Sequence, residues 1–262
     1  MMEKKDLILE KKGEIATIYF NRPEKRNALT YEMWQEIPKL VEDVENDKAI
    51  KVLIIRGIDE TSFAAGADIS EFQTLRANAE GAKIYNEATH KAERALATMK
   101  KPSIAMIQSY CIGGGLEIAL ACDFRFSDTN GKFGITPAKL GLVYSLTATK
   151  QLVDIVGPAK AKYILFSGKI LDVDDAYRIG LVDEVHRPEE IVEKTYAFAE
   201  SLCEKAQFSV RSMKEIIGLI MAGPTEESER TDYLRLISFD TDDYKEGVRA
   251  FLEKRKPKFT YS

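Results

Sequence analysis

The amino-acid sequence predicts an α/β fold, and three observations carry that prediction. Val52-Leu53-Ile54-Ile55 and Ser103-Ile104-Ala105-Met106-Ile107 are continuous apolar runs, the pattern of strands covered on both faces. Trp34, Ile37, Val41 and Val44 recur at three- and four-residue spacing, which marks an amphipathic helix between strand-like segments. The cycle of strand, loop, helix and strand then repeats along the chain.

The elements follow in order. Leu7-Leu9 and Ile15-Phe20 bracket Lys11-Lys12-Gly13 and read as a hairpin. A polar stretch over 21–30 leads into the first helix, with Thr30 as its N-cap and Pro38 expected to kink it. After the first buried strand comes a long polar helix over 77–99, then the second buried strand. A glycine-rich turn opens an apolar helix over 114–121, and Phe124-Arg125-Phe126 reads as another strand. Residues 133–144 read as strand end, turn and short helix, and 181–185 as the last strand. Beyond Pro188 the chain reads as helical to Arg255, with Leu234, Ile237 and Phe251 on apolar faces that need a partner. The expected division is an α/β core over 1–188 and a helical region over 189–262, with no linker and no internal repeat.

Composition narrows the function. A chain of 262 residues is long enough to bury a large core without a disulfide or metal staple. Its 3 cysteines, Cys111, Cys122 and Cys203, lack C-x-x-C spacing, which excludes a disulfide framework and suits a reducing cytoplasm. Only His90 and His186 occur, so a histidine-rich metal centre is excluded. The opening Met1-Met2-Glu3-Lys4-Lys5-Asp6 has no long apolar run, so no signal peptide is expected there, and no stretch suits a membrane span. A net charge of −4 argues against a nucleic-acid binder. Small-molecule chemistry is what remains.

Three segments are candidates for that chemistry. Ala65-Gly66-Ala67-Asp68-Ile69 follows the first buried strand, and its small side chains admit a ligand to the backbone. The plainer reading is a tight turn with Asp68 as a helix N-cap. Gly113-Gly114-Gly115-Leu116-Glu117 opens the apolar helix, where free N–H groups and the positive end of the helix dipole suit a developing anion. Ile118 stands where a dinucleotide fingerprint needs its last glycine, and a close helix–strand crossing is the plainer alternative. Glu117, in the first turn of an apolar helix, is either a dipole-complementing charge or a working acid/base. The third segment, Phe133 to Tyr144, includes Thr136, Pro137 and Tyr144; Tyr144 taken alone reads as a packing residue. No G-x-S-x-G elbow is present, so a serine hydrolase is not expected. Two small-residue loops and one acid suit an enzyme better than a structural module.

Taken together these segments resemble the crotonase superfamily, also called the enoyl-CoA hydratase/isomerase family. The resemblance runs end to end and rests on Asn21-Arg22-Pro23 with Asn27-Ala28-Leu29, on the Ala65 and Gly113 segments, and on Phe251-Leu252-Glu253-Lys254-Arg255. It implies a spiral of ββα units with a C-terminal helical trimerisation region, and a homotrimer or a hexamer built as a dimer of trimers. It implies that the N–H groups of Ala67 and Gly114 form an oxyanion hole around a thioester carbonyl, with Gly113 beside them, and that Glu117 is the acid/base. Ala65, Asp68 and Ile69 would line the bent CoA chain, with Ala28 and Thr136 in neighbouring matching segments. Arg26 and Lys254 would meet CoA phosphates, Lys25 reading as solvated, and Phe251 and Lys254 would reach the adenine, often across a subunit boundary. No metal, flavin or nicotinamide is implied, since CoA arrives as part of the substrate.

The sequence departs from the family pattern at Pro137, which stands where hydratases carry a second glutamate. Adding water is helped by two carboxylates, whereas one can move a proton between carbons. Isomerase or lyase chemistry is therefore expected over a two-glutamate hydratase. Thr136-Pro137, Leu140-Gly141 and Tyr144 resemble methylmalonyl-CoA decarboxylases, in which Tyr144 would orient substrate, although Ala67 stands where that branch has a histidine. A non-catalytic acyl-CoA-binding relative is the rival from another class.

Overall fold

A computed structural model of the chain describes residues 5–223 and 226–260, so the opening Met1 to Lys4 lie outside the described residues. The hairpin of β1 (Leu7–Lys12) and β2 (Ile15–Phe20) turns through Gly13 at φ +60°. Its antiparallel register pairs Lys12 with Ile15, so β1 runs three residues past the expected strand. Helix α1 (Tyr31–Asn46) is capped by Thr30, whose hydroxyl accepts from the Met33 N–H at 3.2 Å. It buries Met33, Trp34, Ile37, Val41 and Val44, as the spacing predicts, and continues through Pro38 as one helix. The amine of buried Lys101 donates to the carbonyls of Val44 and Asp47 and so satisfies acceptors at the C-terminal end of α1.

A cycle of long strand, short strand and helix then runs three times. It comprises β3 (Val52–Gly57), β4 (Ser62–Ala64), the single turn α2 (Phe72–Leu75) and α3 (Ala79–Thr98). Next come β5 (Ser103–Ile107), β6 (Tyr110–Ile112) and α4 (Gly114–Ala121). The third cycle is β7 (Phe124–Asp128), β8 (Lys132–Gly134) and α5 (Leu146–Ser167). β9 (Leu171–Asp172), α6 (Val173–Arg178), β10 (Glu184–His186) and α7 (Ile191–Cys203) complete the core, before α8 (Gln207–Met221), α9 (Glu229–Ile237) and α10 (Asp242–Leu252). The long strands form a 6-stranded sheet in the order β1-β2-β3-β5-β7-β10, parallel beyond the first pair. The short ones form a second sheet, β4-β6-β8-β9, parallel through β8.

Strand alternation explains the continuous apolar runs. Leu53, Ile55, Ala105 and Ile107 face a core shared with Trp34, Leu96 and Leu116. Val52, Ile54, Ile104 and Met106 face the other side, which Ile191, Ala199 and Cys203 of α7 cover. The repeated ββα cycle is the spiral that the family resemblance implies, although no side-chain period displays it. β4, β6 and β8 are only three residues each and ask little of their side chains beyond burial.

One expectation is corrected, and one helix was not foreseen. The last strand is 184–186, because Leu181 and Val182 pack in the core from a turn instead. The third segment is a strand end at Gly134 followed by a short 3-10 helix, Pro137–Leu140, as expected. The long α5 that follows was not foreseen, since Gly157 at φ +75° and Pro158 divide it and break its period. Beyond α7, Met213, Ile217, Ile220, Leu236 and Phe251 stand exposed, whereas Leu234 is buried. No helix among the described residues is long and apolar enough to cross a membrane.

Candidate active site

Because β4 and β6 are parallel neighbours, the loops that leave their C-terminal ends emerge side by side. The first is Ala65-Gly66-Ala67. Leu29 clamps it from both sides: its N–H donates to the Gly66 carbonyl and its carbonyl accepts from the Asp68 N–H, both at 2.8 Å. Between those two bonds the Ala67 N–H has no acceptor among the described residues. The second loop turns at Gly113, whose φ of +51° with ψ −119° suits only glycine. Its N–H donates to the Gly134 carbonyl at 2.8 Å, which leaves Gly114 as the first residue of α4 with no intrahelical acceptor for its own N–H. Both alternatives for this glycine run hold, at different residues. Gly115 makes the close crossing, since a Cβ there would lie 2.3 Å from the Ala64 carbonyl oxygen, while Gly114 presents the free donor.

Ala67 and Gly114 line a cavity of ≈ 240 Å³. Trp34 and Tyr85 form one wall: the Trp34 Nε1–H donates to the Tyr85 hydroxyl at 3.2 Å, and that hydroxyl reaches the Leu29 carbonyl at 3.5 Å. The clamp on Ala67 is thereby tied to α1 and α3. Burial pushes the Tyr85 phenol up to about 12, so it stays a neutral donor.

Glu117 projects into the same cavity from the first turn of α4. It lies deep in the molecule while part of its surface opens to the cavity, and burial raises its carboxyl above the ordinary value. The neighbouring Tyr144 hydroxyl and, more weakly, the Arg76 guanidinium oppose that rise by favouring the carboxylate. Tyr144 lines the cavity and also packs against the core. Its phenol is raised well above its usual range by burial and by Glu117, and its buried oxygen lies against Glu117 without a well-aligned hydrogen bond. Arg76 stacks on the rings of Phe72 and Tyr85, 4.5 and 4.8 Å from their centroids.

A second acid lines the cavity that the sequence did not disclose. Glu93 on α3 is 1% exposed, and its Oε2 has no hydrogen-bond partner among the described residues. Burial, then the charge of Glu117, pushes its carboxyl up to about 8. The signal available was a carboxylate flanking the apolar stripe Ala88, Ala92 and Leu96 of a stretch that otherwise reads as polar.

The remaining candidates divide. Ala65, Ile69, Gly113, Thr136 and Pro137 line the cavity. Asp68 does not; its carboxylate accepts from the Ser70 N–H and pairs with Arg22 at 2.9 Å, and Arg22 also donates to the Ala28 carbonyl. Asp68 and Ala28 thus hold the 65–69 loop against the 22–28 loop. Arg26, exposed, stacks on Tyr110 at 4.9 Å. Phe251, 84% exposed, and Lys254 lie at the end of α10, away from the cavity.

The family model for enoyl-CoA hydratase/isomerase matches residues 10–262. The chain belongs to that family. The enoyl-CoA hydratase/isomerase fold extends over its whole described length. A structure of an enoyl-CoA hydratase/isomerase family protein from Hyphomonas neptunium superposes with a TM-score of 0.96 at 40% identity, covering 98% of each chain. Among curated relatives, a crotonyl-CoA hydratase of Syntrophomonas wolfei is 38% identical over 98% of this chain and 99% of its own length. A short-chain-enoyl-CoA hydratase of Clostridium acetobutylicum is 35% identical over 97% of both. These two curated relatives are named hydratases.

Proposed function

We propose that this chain adds water across the double bond of a short 2-enoyl thioester of coenzyme A. The observation that carries the proposal is the pair of unpartnered N–H groups, Ala67 and Gly114, beside the deep carboxylate of Glu117 in one cavity. A thioester oxygen seated between these donors accumulates negative charge as a nucleophile joins the β carbon. Donors already fixed in place stabilise that charge without reorganising, and removing one such donor costs about 2.7–4 kcal/mol in acyl-transfer sites. Glu117, whose carboxyl burial raises while Tyr144 and Arg76 oppose the rise, acts as the base that takes a proton from the water. The chemistry draws on no cofactor beyond the CoA that the substrate carries. A cavity of ≈ 240 Å³ closed by Trp34, Tyr85 and Tyr144 favours a short acyl group.

A second reading, decarboxylation of a methylmalonyl-type thioester, has one observation in its favour. Tyr144 lines the cavity and its hydroxyl lacks a well-aligned bond of its own, which supports it as the donor to a carboxylate in this reading. Mass spectrometry of 2-enoyl, 3-enoyl and methylmalonyl thioesters separates gain of water from double-bond shift and loss of carbon dioxide. Glu117→Gln is expected to abolish hydration while leaving acyl-CoA binding nearly intact. Undiminished turnover would remove Glu117 from the mechanism, and CoA binding without any product would favour a non-catalytic relative.

The 189–262 region, with its exposed apolar residues, is proposed as the assembly surface of a homotrimer or a dimer of trimers. Phe251 and Lys254 would then serve the CoA of a neighbouring subunit, with Arg26 near the phosphates. Three buried, unbridged cysteines suit a cytoplasmic setting.

A further inference from the structure

Glu93 is a buried carboxylate that no fold requirement explains. It neither caps a helix nor closes an ion pair among the described residues, and its Oε2 is unpartnered. Buried acids are normally hydrogen-bonded, and an orphaned one is costly to keep. It lines the same cavity as Glu117 and Pro137, and comes to it from α3.

We propose that Glu93 is the second acid/base of this site, exchanging a proton with the α carbon of the thioester and so supplying from α3 the carboxyl group missing at Pro137. The proposal rests on the hydration reading above for its substrate. The two acids have different surroundings, and that difference assigns their roles. Burial raises both carboxyls, but at Glu117 the Tyr144 hydroxyl and the Arg76 guanidinium oppose the rise, whereas at Glu93 the Glu117 charge adds to it. The assignment places the proton of the pair on Glu93 and leaves Glu117 to act on the water. Glu117 takes a proton from water as the water oxygen bonds to Cβ, and the π electrons of Cα=Cβ move onto the thioester oxygen between Ala67 and Gly114. As that enolate collapses, Cα takes the proton of Glu93. H and OH have then been added, and a proton passed from Glu117 to Glu93 restores the starting state.

Deuterium exchange at Cα of a saturated thioester, butyryl-CoA, isolates the step assigned to Glu93, because it needs no water addition. In D₂O, Glu93→Gln is expected to lose this exchange by 100-fold or more, within the range of ~10²–10⁴ for a positioned acid/base. Glu117→Gln is expected to keep measurable exchange while losing hydration, and butyryl-CoA binding serves as the folding control for both. Exchange by Glu93→Gln at the parent rate would overturn the proposal. A parent protein that exchanges Cα but hydrates no 2-enoyl thioester would refute the hydration reading and leave Glu93 standing.

The pH profile of the parent protein tests the assignment without any variant. The groups facing Glu93 are Glu117 on α4, Tyr144 before α5, Arg76 after α2, and Tyr85 and His90 on its own helix. Hydration uses protonated Glu93 and is expected to fall above about pH 8, while exchange uses its ionised form and is expected to rise through the same interval. Both profiles flat across that interval would overturn the assignment.

Discussion

Gly114 and Gly115 show how little room surrounds the start of α4. A Cβ on Gly115 would meet backbone, the Ala64 carbonyl, at 2.3 Å, whereas one on Gly114 would meet the Trp34 ring at 2.8 Å. Gly115→Ala is therefore expected to destabilise the fold by about 1–3 kcal/mol or more, read as a shift in urea midpoint. Gly114→Ala should fold, because a ring can yield where a strand cannot, yet lose turnover through a displaced N–H. Equal stability losses in the two variants would contradict that distinction. Asp68 makes a separate prediction. The Ser70 hydroxyl, then the Arg22 guanidinium, hold its carboxyl below the ordinary 3.8. Its folded pKa thus lies below its unfolded one, and its contribution is present at neutral pH and lost as pH falls through the folded value. Asp68→Asn should be the weaker protein at about pH 7, with the gap narrowing toward about pH 3; a gap independent of pH would rule the pairing out as its source. At this scale Ala67, Gly114 and Glu117 were legible because short motifs fix them relative to one another. Glu93 was not, because the rotation of α3 about its axis, which turns that carboxylate inward, is settled only by packing against α1 and α4.

Among the elements, α1 carries the most weight for the site, since Trp34 forms a cavity wall and binds Tyr85. Its N-cap, Thr30, directly follows the Leu29 clamp. Thr30→Ala is expected to cost about 1 kcal/mol of stability in thermal or urea unfolding. No change in either would show that the cap is replaced by water. The amphipathic α1, the continuously apolar β3 and β5, the polar α3 and the apolar α4 were readable from the chain. The short strands were not, because three residues display no period. α5 was hidden by Gly157-Pro158, whereas α1 continues through Pro38 over its sixteen residues.

Over the whole molecule, three ββα cycles place successive loops at one end of the short sheet, and the cavity forms where two of those loops meet α1 and α3. The fold class followed from alternating buried strands and helices, while the repetition behind it resides in backbone path and not in side-chain identity. The exposed apolar residues of α8 to α10 give a further expectation: light scattering should report three or six times the 29.5 kDa chain mass. A monomer at assay concentration would contradict the assembly proposal. The most direct test of the functional account is incubation of crotonyl-CoA with the protein in H₂¹⁸O, followed by mass spectrometry of the thioester. The account predicts a 3-hydroxyacyl-CoA carrying one ¹⁸O at the β carbon, formed by the parent protein and not by Glu117→Gln. Crotonyl-CoA recovered unchanged from a parent protein that binds it would contradict the account.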